Sequence, residues 1–175
     1  MKTSPYLPPA IYYLLHLKLM IFIADAMLGR LAKRMRLLGF DVLYDPEMAD
    51  NDILRLALEQ GRVILTRDTG LASRPLARNH LLIRSDHGDE QLDQVLEAFP
   101  PPDTGPLTRC SLCNDPLVPL ERTDASDRVP GHVHATMKVF FECRRCGRVY
   151  WSGSHVKRQA EQRAKKSRHP RMPSA

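Results

Sequence analysis

Two pairs of cysteines have the spacing that speaks most directly of chemistry: Cys110-Ser-Leu-Cys113 and Cys143-Arg-Arg-Cys146. Each pair presents two thiolates from one tight turn. Two such turns complete a tetrahedral site of the kind zinc takes in structural positions. Asn114 and Gly147 follow the second cysteine of each pair. Both residue types tolerate the left-handed backbone that ends such a knuckle. A pair of redox dithiols is the competing chemistry. Neither pair lies between a strand pattern and a helix pattern, as a thioredoxin-like site requires. Four thiolates close the coordination sphere, so a structural ion is expected and His155 is not needed as a ligand.

Carboxylates make a second constellation. Asp25 follows directly on the apolar run Ile21-Phe22-Ile23-Ala24, and Asp68 closes Leu65-Thr66-Arg67-Asp68. Asp50 and Asp52 open a helical pattern. A carboxylate straight after a buried strand is costly unless it binds something. Oxygen donors without His or Cys suit Mg²⁺ or Mn²⁺. One or two such ions can activate water and stabilise the leaving oxygen of a phosphodiester. The plainer reading makes Asp50 or Asp52 an N-cap and Asp68 the cap of the turn that follows. Among the basic residues, Arg30, Lys33 and Arg34 begin one turn after Asp25 and face away from the apolar stripe. They suit RNA phosphates, and equally an ordinary solvated helix face. Arg67 suits a scissile phosphate or an ion pair with an acid. Tyr150, Trp151 and His155 suit stacking on unpaired bases, or the core of a small ribbon.

These side chains need elements to hold them. After the strand pattern 21–24, Leu28, Leu31, Ala32, Met35 and Leu38 recur at helical spacing over 26–38, and Gly39 ends the run. Strand patterns follow at 41–44, 62–66 and 80–84. They are separated by helices expected from Asp50 to Gly61 and over 69–78, with a last one over 89–98. This β-α-β-α-β-α-β-α order predicts an α/β fold with a parallel sheet flanked by helices. The carboxyl ends of such strands line a crevice, so acids distant in sequence are expected to converge there.

Composition sets the boundaries. The chain has 175 residues, of which 43% are apolar with few aromatics, enough for a core of Leu, Ile, Val and Met. The proline-rich stretch 100–106 reads as a linker. Residues 107–156 form a module too small to fold on an apolar core alone. The net charge is +6, and residues 157–175 hold seven Lys or Arg against one acid. The excess therefore sits in a basic tail, expected to be disordered. Such a tail on a balanced body points to a polyanion such as nucleic acid, or to a solubilising segment. Within residues 1–19, the stretch 6–19 is apolar, but Pro8 and Pro9 break the run. It is too short to span a bilayer and lacks a small-residue cleavage site. These residues are expected to lie outside the fold, with Met20 a candidate start. No membrane partner and a cytoplasmic location are expected, where thiols bind metal rather than pair.

Four separated stretches together resemble one family: IFIADAMLGRLAKRMRLLG at 21–39, GRVILTRD at 61–68, Arg109-Cys110-Ser-Leu-Cys113-Asn114, and Tyr150-Trp151-Ser-Gly-Ser-His155. The family is that of small prokaryotic proteins matching the C-terminal RNase domain of the animal Mut-seven exonuclease. The resemblance implies a PIN-like nuclease domain over 20–99, a zinc ribbon over 107–156, and metal-dependent RNA cleavage. It places PIN-type acids at Asp25, at Asp50 or Asp52, and at Asp68 of a T-x-D motif. A further acid of many PIN domains has Asp45 and Glu47 as candidates. The function expected is a Mg²⁺- or Mn²⁺-dependent ribonuclease whose ribbon and tail grip RNA. Its rivals are an adaptor that binds RNA, a ribosome or another RNA–protein complex without cleaving, and a zinc-dependent protein–protein module.

Overall fold

The computed structural model describes residues 20–153. The extension 1–19, His155 and the basic tail lie outside the described residues. Four strands form the first sheet: β1 (Ile21–Ala24), β2 (Asp41–Tyr44), β3 (Val63–Thr66) and β4 (His80–Leu82). Their order is β2-β1-β3-β4. β1 runs parallel to β3 with Ile23 opposite Ile64, and β3 runs parallel to β4 with Ile64 opposite His80. All four residues of β3 are buried, as expected for a parallel strand covered on both faces. Ile23 and Ile64 pack with Ile53, Leu54 and Ala57 of helix α2 (Asp50–Gln60). Phe22, one residue out of phase, meets Phe99 edge-on with ring centroids 5.2 Å apart. The parallel sheet flanked by helices is the α/β arrangement that the alternating periods predicted.

Local chemistry adjusts several element boundaries. The run expected as one helix over 26–38 is a 3₁₀ turn, Ala26–Leu28, followed by α1 (Gly29–Leu37). The Asp25 carboxylate accepts the Met27 N–H and tightens that first turn. Gly29 lets the phenol of Tyr44 approach closely at the junction, where a Cβ would force that ring to shift. That phenol donates to the Ala26 carbonyl. Neither Asp50 nor Asp52 caps α2. The N-cap is Ala49, without a side-chain cap bond, and both acids lie in the first turn, where the helix dipole favours them. The helix expected over 69–78 shortens to α3 (Thr69–Ala72). Pro75 disfavours helical backbone at Arg74 and has no N–H to continue the ladder. Helix α4 (Gly88–Ala98) completes this part.

Close contacts divide the chain into two compact units. Among the described residues, the first comprises 20–29 and Val42–Asp103, the second Arg30–Asp41 and the chain from Thr104 onward. The second unit contains an antiparallel sheet of β5 (Val118–Leu120), β6 (Phe140–Glu142) and β7 (Val149–Trp151) in that order. Two short helices, α5 (Arg122–Ala125) and α6 (Gly131–Thr136), interrupt it between β5 and β6. Ala125, Val129, Val133 and Phe140 form a small apolar core there. A second cluster, with Leu107, Tyr150 and Leu37, surrounds the buried Cys110 and Cys143.

Candidate metal centre and acidic site

The two Cys-x-x-Cys turns face each other across the ribbon. The four Sγ atoms all lie within 4.8 Å of one another. Cys110 and Cys146 are 3.7 Å apart, against about 3.8 Å for the edge of a tetrahedron with zinc–sulfur bonds of about 2.3 Å. The backbone supports this geometry. Asn114 and Gly147 both adopt positive φ, 66° and 69°, as their residue types suggested. Their N–H groups donate to the carbonyls of Cys110 and Cys143 at 3.0 and 2.8 Å. The number, softness and spacing of the donors make this cluster compatible with zinc.

A second layer holds the first knuckle. The Tyr150 hydroxyl lies 3.1 Å from Cys110 Sγ and accepts the Ser111 N–H. Arg36 of α1, 3% exposed, donates through Nη1 to the carbonyls of Ser111 and Leu112 at 3.1 and 2.7 Å. Asp41 pairs with Arg109 and accepts from the Asn114 amide. The Leu107 N–H donates to the carbonyl of Leu37. Burial pushes the Cys110 thiol up, but hydrogen bonds from the Cys113 N–H, the Tyr150 hydroxyl and the Leu112 N–H outweigh it and bring the thiol down to about 7. Burial and the neighbouring thiols push Cys113 up to about 12. One thiol thus ionises easily while its neighbour resists, which is the electrostatic problem a bound cation resolves.

In the first unit, Asp25 sits at the end of β1 and is 5% exposed. Its carboxylate accepts the Met27 N–H at 2.9 Å, the Thr66 hydroxyl, and the Arg67 N–H at 3.1 Å. Thr66, fully buried at the end of β3, also accepts the Asp68 N–H at 2.9 Å. Asp25 and Asp68 are therefore joined through one hydroxyl. Asp68 is exposed and caps α3 through the Gly70 N–H at 2.6 Å.

The other acids are engaged elsewhere. Asp50 pairs with Arg74 at 2.9 Å, and Arg74 also reaches Asn51. Asp52 pairs with Arg55, as does Glu59. Asp45 accepts the Glu47 N–H on an exposed turn. Arg67 pairs with Asp86, just beyond β4, and its buried Nε has no hydrogen-bond partner. Arg30 and Lys33 are exposed on α1, Arg34 is half-buried there, and Trp151 is half-buried on β7. Among the described residues, the four thiols are the group of three or more possible ligands close enough to share an ion. Asp25, Asp50 and Asp68 do not form such a group. The Asp25 and Asp68 carboxylates nevertheless keep open lone pairs, and Mg²⁺ is commonly held by one or two carboxylates, waters and substrate phosphates. The donor set fits such an ion.

Sequence reasoning missed Arg36, Asp41, Asp86 and the sulfur contact of Tyr150. Arg36 had a faint signal, since it follows Met35 at the edge of the apolar stripe. Asp86 lies four residues beyond β4, with no motif to mark it.

Fold and site together define an α/β protein with acids at the carboxyl edge of a parallel sheet and a four-thiol centre compatible with zinc. The particular family follows from the chain itself. Residues 20–163 match the Mut7-C RNAse domain, and the chain belongs to that family. Membership implies a nuclease-type hydrolase with RNA as its substrate class. No curated protein and no solved structure matches the chain. Among the described residues, no helix is long and apolar enough to cross a membrane.

Proposed function

We propose that this protein is a ribonuclease that hydrolyses RNA phosphodiester bonds with Mg²⁺ or Mn²⁺, and that zinc in the thiol centre is structural. The observation that carries the reading is the link through Thr66, at the end of β3, between the Asp25 carboxylate and the main-chain N–H of Asp68. Asp25 and Asp68 would hold the divalent ion, and Asp50 or Asp52 would join as the third acid on release from Arg74 or Arg55. The ion supplies charge neutralisation and a more acidic water. The chain does the rest. Thr66 and the Arg67 N–H fix the Asp25 carboxylate, so that no reorganisation is needed when substrate arrives. Arg67 exchanges Asp86 for a phosphate and stabilises the departing 3′ oxygen. Arg30, Lys33 and Arg34 contribute phosphate contacts, and Trp151, His155 and the basic tail grip the strand. The test is single-stranded RNA incubated with Mn²⁺ and the wild-type, Asp25→Asn and Asp68→Asn proteins. Cleavage should fall at least a hundredfold in both variants while their melting temperatures stay above the assay temperature. Wild-type rates in both would sink the assignment.

A second reading has its own support. Asp50 and Asp52 are satisfied by Arg74 and Arg55, and Asp68 caps a helix. An adaptor for RNA, a ribosome or another RNA–protein complex needs nothing more of them. It would bind RNA without cutting it, and deleting residues 157–175 would abolish binding.

A further inference from the structure

The ribbon has an open groove of about 510 Å³, lined by Arg128, Cys146, Gly147, Arg148, Val149 and Trp151. Its walls differ in chemistry. Trp151 packs against the small core of Ala125, Val129, Val133 and Phe140 while also lining the groove. Arg128 is held in place, paired with Glu142 at 2.8 Å and donating to the Gly147 carbonyl at 2.8 Å. Arg148 is exposed, and its guanidinium has no partner among the described residues. Arg144, also exposed, lies in the adjoining second knuckle. A braced indole beside one anchored and one uncommitted guanidinium matches a base with its phosphate. The base finds a flat apolar partner, and the phosphate finds in Arg148 a cation that need not be stripped from an acid, beside an Arg128 held by Glu142. In sequence the chain runs from Trp151 within six residues into the basic tail, adding cation density in covalent reach of the groove.

We propose that this groove binds a nucleotide of single-stranded RNA, with the base stacked on Trp151 and its phosphate on Arg148. The groove is built from residues of the second unit alone. It rests on the reading that RNA is the substrate, but it requires no cleavage. Trp151 is the single tryptophan of the chain, so its fluorescence reports this groove alone.

The experiment titrates the full-length, zinc-loaded protein with a ten-nucleotide single-stranded RNA, without added Mg²⁺ or Mn²⁺. Saturable quenching of Trp151 is expected. An abasic ribose-phosphate decamer should bind without quenching. Arg148→Ala should weaken binding roughly fivefold and flatten the salt dependence of log K by about one. Arg148→Lys should recover most of the loss. The proposal is overturned if RNA binds without quenching, if the abasic decamer quenches equally, or if Arg148→Ala binds as wild type. Quenching in a protein that never cleaves RNA would retain the groove and remove the ribonuclease reading. Cleavage without quenching would do the reverse.

Discussion

At Thr66 a single hydroxyl serves two acids, donating to Asp25 and accepting from the Asp68 N–H. Thr66→Val keeps the shape and removes both bonds. The change removes the partner of the Asp68 N–H and leaves the Asp25 oxygen with the Arg67 N–H alone, at a cost of about 1–3 kcal/mol. A drop of several degrees in melting temperature is expected, with RNA cleavage lowered as well. Thr66→Ser should restore most of both, and a serine variant no better than valine would show that the hydroxyl is not what matters. Tyr150→Phe makes the matching case at the sulfur centre. It removes the hydroxyl near Cys110 and Ser111, so zinc should pass to a chromophoric chelator several-fold faster. Asp25, Asp68 and all four cysteines were legible in the sequence, because each belongs to a short motif. The engagement of Asp50 with Arg74 was not, because the partners lie 24 positions apart, one in the first turn of α2 and the other past the end of α3.

Helix α1 shows what an element adds. Its apolar stripe was readable from period alone, and Arg36 was indistinguishable in sequence from the solvated arginines beside it. In the fold, Arg36 is buried against the carbonyls of the first knuckle. Arg36→Ala should destabilise the ribbon by about 2–4 kcal/mol, since charge-assisted hydrogen bonds are worth about 1.5–3 kcal/mol each and rarely add fully. Amide hydrogen exchange should speed up across Ser111–Asn114. Unchanged exchange there would mean that the knuckle is held without the helix. The short α3 teaches the opposite lesson. A helix was expected over 69–78, but Pro75, a local signal within that stretch, stops it at Ala72.

The second unit joins α1 to the ribbon, and its core includes the thiols themselves. A module that depends on metal for its core unfolds without it. Stripping zinc with a strong chelator should therefore abolish exchange protection in β6, β7 and α1 together. The sheet of β1, β3 and β4, whose apolar core needs no metal, should stay protected. Loss of protection in the ribbon with α1 unchanged would separate the helix from the zinc module.

The sequence by itself determined the α/β architecture, the four-thiol centre, the left-handed positions after each knuckle and the acids at the ends of β1 and β3. Hydrophobic period and short motifs are local properties, carried by neighbours within a few residues. Tertiary structure alone decided which acids are tied together and which are neutralised by arginines. It also put Arg36 and Asp41 beneath the first knuckle, and Trp151 in a groove with Arg128 and Arg148. Those outcomes depend on contacts between residues dozens of positions apart, and no periodicity records which of many equally charged side chains the fold will bury.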